Sequence, residues 1–388
     1  MGQFGIGQPV AREEDPYLLR GKGRYVDDVS ERGQLQASVL RSPFAHAKIN
    51  SIDISAAESA PGVHLVLTGD HPEVAKLGLQ HPMVQRYRRD GTPVPPCPQK
   101  HLATDVVRYV GDYVAFVVAD TQAQAKDAAE MIVVDYEELP SVVSTSAAVT
   151  PAAPQIWEEL PNNEMYVHRV GDESATDAAF AKAAHVVKHS MVINRVTTNS
   201  MEPRGSIAEY DARDDRYIVR CTVQSPHRCR NTLATQIFNL PEMKIRVISE
   251  NMGGGFGMKG GVYPEYTLTM VAAKLLDRPV KWISERSEGL LSDEQARDNV
   301  TDAELALDEL DHADLHAMPQ GTRYHAKAGA ALALARPGQH KQHTLLFLRA
   351  FDALLHDFLL CRHPAGVAFG LFGVLTHGRL LCCVRCVR

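Results

Sequence analysis

Cysteine is scarce and unevenly placed. Of seven, only Cys97, Cys221 and Cys229 precede residue 361, which excludes a disulfide framework of the kind that staples small secreted domains. Positive charge is not in excess either. The formal net charge is −6 and the sequence pI about 6.3, against the basic surface that a nucleic-acid or anionic-membrane partner requires. No apolar run before the last eighty residues is long enough to span a bilayer. The N-terminus lacks the basic start and apolar core of a leader, because Met1–Gln8 is soon followed by Arg12, Glu13, Glu14 and Asp15, and a cytoplasmic location is expected.

What is present is a chain of 388 residues, long enough for two or more domains. Leu35–Arg41, Ala47–Ile54 and Val63–Thr68 alternate as strands, with a short helical stretch at Ser55–Ala60. Gln80–Lys100 is a loop with five prolines. Tyr113–Ala119 reads as a buried strand, Thr121–Glu130 as a helix capped by Thr121, and Met131–Tyr136 as another strand. These elements predict a small α+β domain over residues 18–139. Residues 140–163, rich in Pro, Ala, Ser and Thr, predict a linker. A helix over Ala175–Ala184, a strand over His185–Asn194 and a hairpin of Gly205–Tyr210 with Tyr217–Val223 follow.

The most informative stretch is 251–261, with six glycines in eleven residues. The strand-like Lys244–Glu250 precedes it, and Pro264 opens a helical pattern through Leu276. Such a strand-to-helix turn lets backbone N–H groups converge without interference from Cβ atoms, and the helix N-terminus adds a field that favours an anion. A tight corner with no ligand is the bland alternative. Gly255, Gly257 and Gly260 also spell G-x-G-x-x-G after a strand. That permits a dinucleotide-binding reading, with Glu285 reaching a ribose.

Gly253-Gly254-Gly255-Phe256-Gly257-Met258-Lys259 resembles the GGGFGxK loop of the molybdenum hydroxylases, the family of xanthine dehydrogenase, aldehyde oxidase and the large subunit of aerobic carbon monoxide dehydrogenase. The resemblance extends to Arg41–Ala47 and Tyr109–Asp112, which are similar to the family's a/b hammerhead domain. It also takes in Met201–Arg204, Gln224-Ser225-Pro226-His227 and Glu285–Glu288. It implies an α+β fold: a hammerhead domain, then the first part of a molybdopterin-binding domain over residues 164–308. Gly254, Gly255, Phe256 and Gly257 would meet a molybdopterin cofactor through main-chain groups, and the Gln224 amide would donate to an oxygen ligand of the metal. Glu202 and Arg204 are expected to form a buried structural pair. His227 and Cys229, without further partners, are read as structural rather than as metal ligands.

The resemblance further implies hydroxylation with water-derived oxygen. Gly260 stands where xanthine dehydrogenase-like members carry Glu, which favours the carbon monoxide dehydrogenase-like branch acting on CO, aldehydes or heteroaromatics. The cofactor is expected in its cytosine dinucleotide form. Neither iron–sulfur cysteine spacing nor a flavin motif is seen, so FAD and [2Fe-2S] centres are expected on a medium and a small partner subunit. The family's catalytic base is a Glu far towards the C-terminus, so no catalytic residue is assigned and no turnover is expected of these 388 residues alone. An inactive fragment or binding module is the alternative from another class.

Residues 309–388 hold eight of the seventeen histidines and four of the seven cysteines. Neither helix nor strand periodicity persists there, and a reading-frame shift near Glu309 is the expectation preferred. A metal site from Cys361, His363, Cys383 and Cys386, or an anchor in Val367–Leu375, is less favoured.

Overall fold

The computed structural model describes residues 11–80, 86–88, 90–94, 99–167 and 171–307. The tail readings, the Cys361–Cys386 cluster and much of the proline-rich loop lie outside the described residues.

Twelve strands are described. They are β1 (Leu35–Arg41), β2 (Ala47–Asp53), β3 (Val63–Thr68), β4 (Val106–Val107), β5 (Tyr113–Ala119), β6 (Val133–Glu138), β7 (His185–Ile193), β8 (Gly205–Asp211), β9 (Arg216–Cys221), β10 (Ile245–Ile248), β11 (Val280–Ile283) and β12 (Asn299–Leu307). The helices of more than one turn are α1 (Gln122–Glu130), α2 (Glu173–Lys182), α3 (Pro226–Thr232), α4 (Pro264–Leu276) and α5 (Arg286–Ser292). The chain forms two compact units. One comprises the described residues of 1–165 and 195–297, the other those of 166–194 and 298–307.

In the first unit a seven-stranded mixed sheet runs in the order β10-β9-β8-β11-β1-β5-β3, and a three-stranded sheet runs β4-β2-β6. The larger sheet joins segments far apart in sequence, since β1 pairs in parallel with β11, Leu35 opposite Val280. β5 reads as an unbroken apolar run because both of its faces are covered. Phe116 and Val118 enter the main core with Tyr266, Leu268 and Trp282, while Ala115 and Val117 pack with Ala128 and Ala129 of α1. α1 starts where the Thr121 hydroxyl accepts the Gln124 N–H, and it buries an alanine face against the sheet. α4 is buried over its first ten residues, Pro264–Ala273, so it is a central helix of this unit. In the second unit β7 and β12 form an antiparallel pair, and the Asp172 side chain caps α2 through the Ala175 N–H.

The sequence reading differs from the structure at several ends. β6 begins two residues late because Met131 still holds helical geometry at the end of α1. β10 is shortened because a 3₁₀ turn at Glu242–Lys244, set by Pro241, uses up its start. α3 was missed. Pro226 opens a helix that widens into π geometry over Leu233–Phe238 and stops at Asn239, φ 51°. Its signal was the spacing of Cys229, Leu233, Ala234 and Ile237, all buried on one side.

Candidate functional site

The glycine turn leaves β10, crosses Asn251–Gly257, makes a 3₁₀ turn at Met258–Gly260 and enters α4 at Pro264. Three residues hold positive φ: Gly254 (98°), Phe256 (50°) and Gly257 (94°). For Phe256 this conformation costs about 1–2 kcal/mol, so the surroundings must hold it.

They do so at four points. Asn251 accepts the Arg24 N–H at 2.8 Å and donates to the Tyr17 hydroxyl at 2.7 Å. The Gly253 N–H donates to Glu202 Oε2 at 2.8 Å, and the Gly257 N–H to Gln224 Oε1 at 2.9 Å. The Lys259 carbonyl accepts the Gln224 N–H at 2.9 Å, and Lys259 Nζ donates to the Glu202 carbonyl at 2.8 Å and to its Oε2 at 3.2 Å. Among the described residues nothing accepts the N–H groups of Gly254, Gly255 and Phe256, nor Gln224 Nε2. Gly255 is buried all the same, while Gln224, Phe256 (71% exposed) and Gly257 form an open face.

This donor set, with no carboxylate among its free groups, fits a ligand rich in oxygen or negative charge. The three N–H groups without an acceptor are consecutive in the chain, and the Gly257 N–H joins Gln224 to the same turn. One expectation needs refinement. A Cβ on Gly255 would lie 2.6 Å from Gln224 Cγ, so the missing side chain there makes room for the glutamine as well as for any ligand.

The dinucleotide reading fails on topology. β10 and β11, which flank α4 in sequence, are separated in the sheet by β9 and β8, so they do not form an adjacent pair around a crossover helix. The first turn of α4 is buried, and its field is met by the chain's own Glu265 rather than by a phosphate. Glu285 caps α5 and pairs with Lys126. Gly260 lacks a positive φ and a Cβ there would meet open space, so neither conformation nor packing demands glycine at the third position.

Glu202 and Arg204 do not pair with each other. Each turns to a cation or anion that burial has removed from water. Glu202 takes Lys259, and Arg204 grips both oxygens of Glu265 at 2.8 and 3.0 Å, with Asp293 at 2.5 Å. Arg41 adds a second guanidinium to Glu265 at 2.7 Å, and Arg204 stacks over Tyr263 at 3.8 Å. Burial works against a charged Glu265, yet Arg204 and Arg41 together hold its carboxyl below the usual range. Burial pushes the Lys259 ammonium down, opposed by Glu202. Asn251, Glu202 and Lys259 were not picked out as functional from sequence. Lys259 ends the glycine motif, and that was the one signal available. His227 is exposed, Cys229 is buried beside Cys221, and no group of metal-ligating side chains is found among the described residues.

Two family models match the chain. Residues 20–140 match the aldehyde oxidase and xanthine dehydrogenase a/b hammerhead domain, and residues 156–334 the molybdopterin cofactor-binding domain, a span that runs on past residue 308. The chain is 35% identical, over 78% of its length, to the carbon monoxide dehydrogenase large chain of Hydrogenophaga pseudoflava, and 37% identical, over 82%, to the nicotine 6-hydroxylase large subunit of Paenarthrobacter nicotinovorans. It spans 38% of the length of each. The crystal structure of quinoline 2-oxidoreductase from Pseudomonas putida 86 superposes on 78% of this chain with a TM-score of 0.71 at 38% identity, covering 37% of that protein. With a hammerhead domain, a molybdopterin-binding segment and a glycine turn whose free donors suit that cofactor, the chain belongs to the molybdenum hydroxylase family, of whose large subunits it carries an N-terminal part.

Proposed function

We propose that the chain serves in the large subunit of a carbon monoxide dehydrogenase-like molybdenum hydroxylase that oxidises CO, an aldehyde or a nitrogen heteroaromatic. The observation that carries this reading is the Gln224 amide. Its oxygen is fixed by the Gly257 N–H, so Nε2 is left as a donor on the open face beside the unused N–H groups of Gly254, Gly255 and Phe256.

These groups would hold a molybdopterin, in its cytosine dinucleotide form, and that group supplies two-electron oxidation with oxygen drawn from water. Gln224 Nε2 orients an oxygen of the cofactor by donating to it. The three backbone N–H groups would offer the cofactor further hydrogen-bond donors that need no motion at the moment of reaction. The Phe256 ring, exposed in the described chain, is an apolar surface for excluding water from that face. Gly260 after Lys259 favours this branch over purine oxidation, and nicotine and quinoline, named for two of the relatives, are both nitrogen heteroaromatics. The same reading places FAD and [2Fe-2S] centres on a medium and a small partner subunit in the cytoplasm. It sets the domains at residues 18–139 and 164–308, with 140–163 as linker.

The test is to purify the tagged protein from its own host grown with molybdate, then measure molybdenum, acid-released cytidine monophosphate and flavin. The purified complex is also assayed with CO, benzaldehyde, nicotine and quinoline using an artificial electron acceptor. About one molybdenum and one cytidine monophosphate per chain, with oxidation of at least one substrate, is expected. A protein without either cofactor component refutes the reading.

A further inference from the structure

Lys259 has no exposed side-chain surface, yet its ammonium does not reach the open face; both of its hydrogen bonds go to Glu202. The same Glu202 carboxylate accepts the Gly253 N–H and, at 3.4 Å, the Val26 N–H. The fit is close, for a Cβ on Gly253 would lie 2.5 Å from Glu202 Cβ. Glu202 and Lys259 thus tie the two ends of segment 253–259. The three unpartnered N–H groups and the Gly257 N–H that orients Gln224 all lie between these ties.

Resting on the function proposed above, we propose that Glu202 and Lys259 are positioning residues, a buried clamp that holds the glycine turn, with its N–H groups unspent, before any cofactor arrives. Lys259 acts through the turn and does not touch the cofactor. A compact ammonium suits this place, since its rotating donors serve a carbonyl and a carboxylate on one residue, whereas the planar fork of Arg does not. Preorganisation matters here because ordering a six-glycine segment on docking would otherwise weaken binding.

The test compares Lys259→Met with Lys281→Met in the complex purified from its host. Lys281 is also a buried lysine, bonded to the Asp27 and Val29 carbonyls and to no residue of segment 253–259, so its loss reports the general effect of removing a buried ammonium. Glu202→Gln is the conservative variant, keeping an acceptor for Gly253 and Lys259. If Lys259→Met does not accumulate, Glu202→Ala together with Lys259→Met removes the stranded carboxylate.

Two readouts are taken, amide hydrogen exchange of peptides covering 251–260 and molybdenum per folded chain. Removing the clamp is expected to speed exchange in that segment at least tenfold and to lower molybdenum content at least fivefold. Lys281→Met should change neither, and Glu202→Gln, which keeps an oxygen acceptor but removes the counter-charge of Lys259, should fall between Lys259→Met and wild type in both readouts. Unchanged exchange at 251–260 in Lys259→Met, or molybdenum loss that merely tracks melting temperature across Lys259→Met and Lys281→Met, overturns the clamp. A wild-type protein free of molybdenum refutes the proposed function instead, and the exchange experiment still decides whether the clamp exists.

Discussion

Replacing Glu265 by Gln should unfold the first unit more readily than any surface change could. Glu265 has no exposed side-chain surface and receives four contacts: two from Arg204 at 2.8 and 3.0 Å, one from Arg41 at 2.7 Å, and one from the Tyr113 hydroxyl at 3.2 Å. A neutral amide keeps the shape but leaves two guanidiniums, one of them wholly buried, with only Asp293 and Glu288 as counter-charges. Breaking a buried pair in this way costs about 3–5 kcal/mol. At roughly 2–4 °C per kcal/mol, the melting temperature should fall by about 6–20 °C. The variant should also alter the acid side of the stability profile. Because the folded Glu265 carboxyl lies below its ordinary value of 4.5, it adds stability that is fully present above pH 4.5 and is lost as pH falls through the lower folded value. Thermal melts followed by circular dichroism from pH 3 to 8 would show wild type losing this increment below pH 4.5, while the Gln variant lacks it throughout. A melting temperature lowered by less than about 3 °C at pH 7, or parallel acid profiles for the two proteins, would refute the account of the ion network.

Gly255→Val should abolish molybdenum retention, because its Cβ would be driven into Gln224 at 2.6 Å; normal molybdenum content in the folded variant would sink the assignment. Gly257→Ala meets no neighbour, so its cost is the left-handed backbone at φ 94°, about 1–2 kcal/mol, read as a small drop in a thermal melt. Gly260→Ala should leave both the melt and molybdenum content unchanged, whereas a phosphate-binding third glycine would not tolerate it. Gln224→Glu, at an exposed position, should keep the melting temperature within about 3 °C while molybdenum retention falls, since a carboxylate has no N–H to donate; full retention would remove Gln224 from the site.

Local patterns carried most of the fold. β1, β3, β5 and α4 lie where alternation, an apolar run and a proline at the first helical turn put them. Errors fell where two signals compete over one residue. Pro226 serves equally to make a turn and to open a helix, and only the apolar spacing beyond it separates the two. In the candidate site the glycine turn was legible because φ demands and the resemblance both bear on it, and Gln224 was legible from the resemblance alone. The turn's support was not. Glu202 next to Pro203-Arg204 reads as half of a local pair, but its true partner lies 57 residues away, and partner choice among buried charges is settled by three-dimensional burial rather than spacing.

The parallel pairing of Leu35 with Val280 has a consequence for synthesis. At about 5–20 residues per second, β11 is made roughly 12–50 s after β1. Until then the β1–β5–β3 group presents the edge of β1 unsatisfied, and an open strand edge is a template for another chain. The nascent protein therefore passes through an interval in which its most buried sheet is exposed at one side. Chaperone occupancy on ribosome-bound chains is expected to persist until residue 280 has cleared the exit tunnel, and to end once β11 docks.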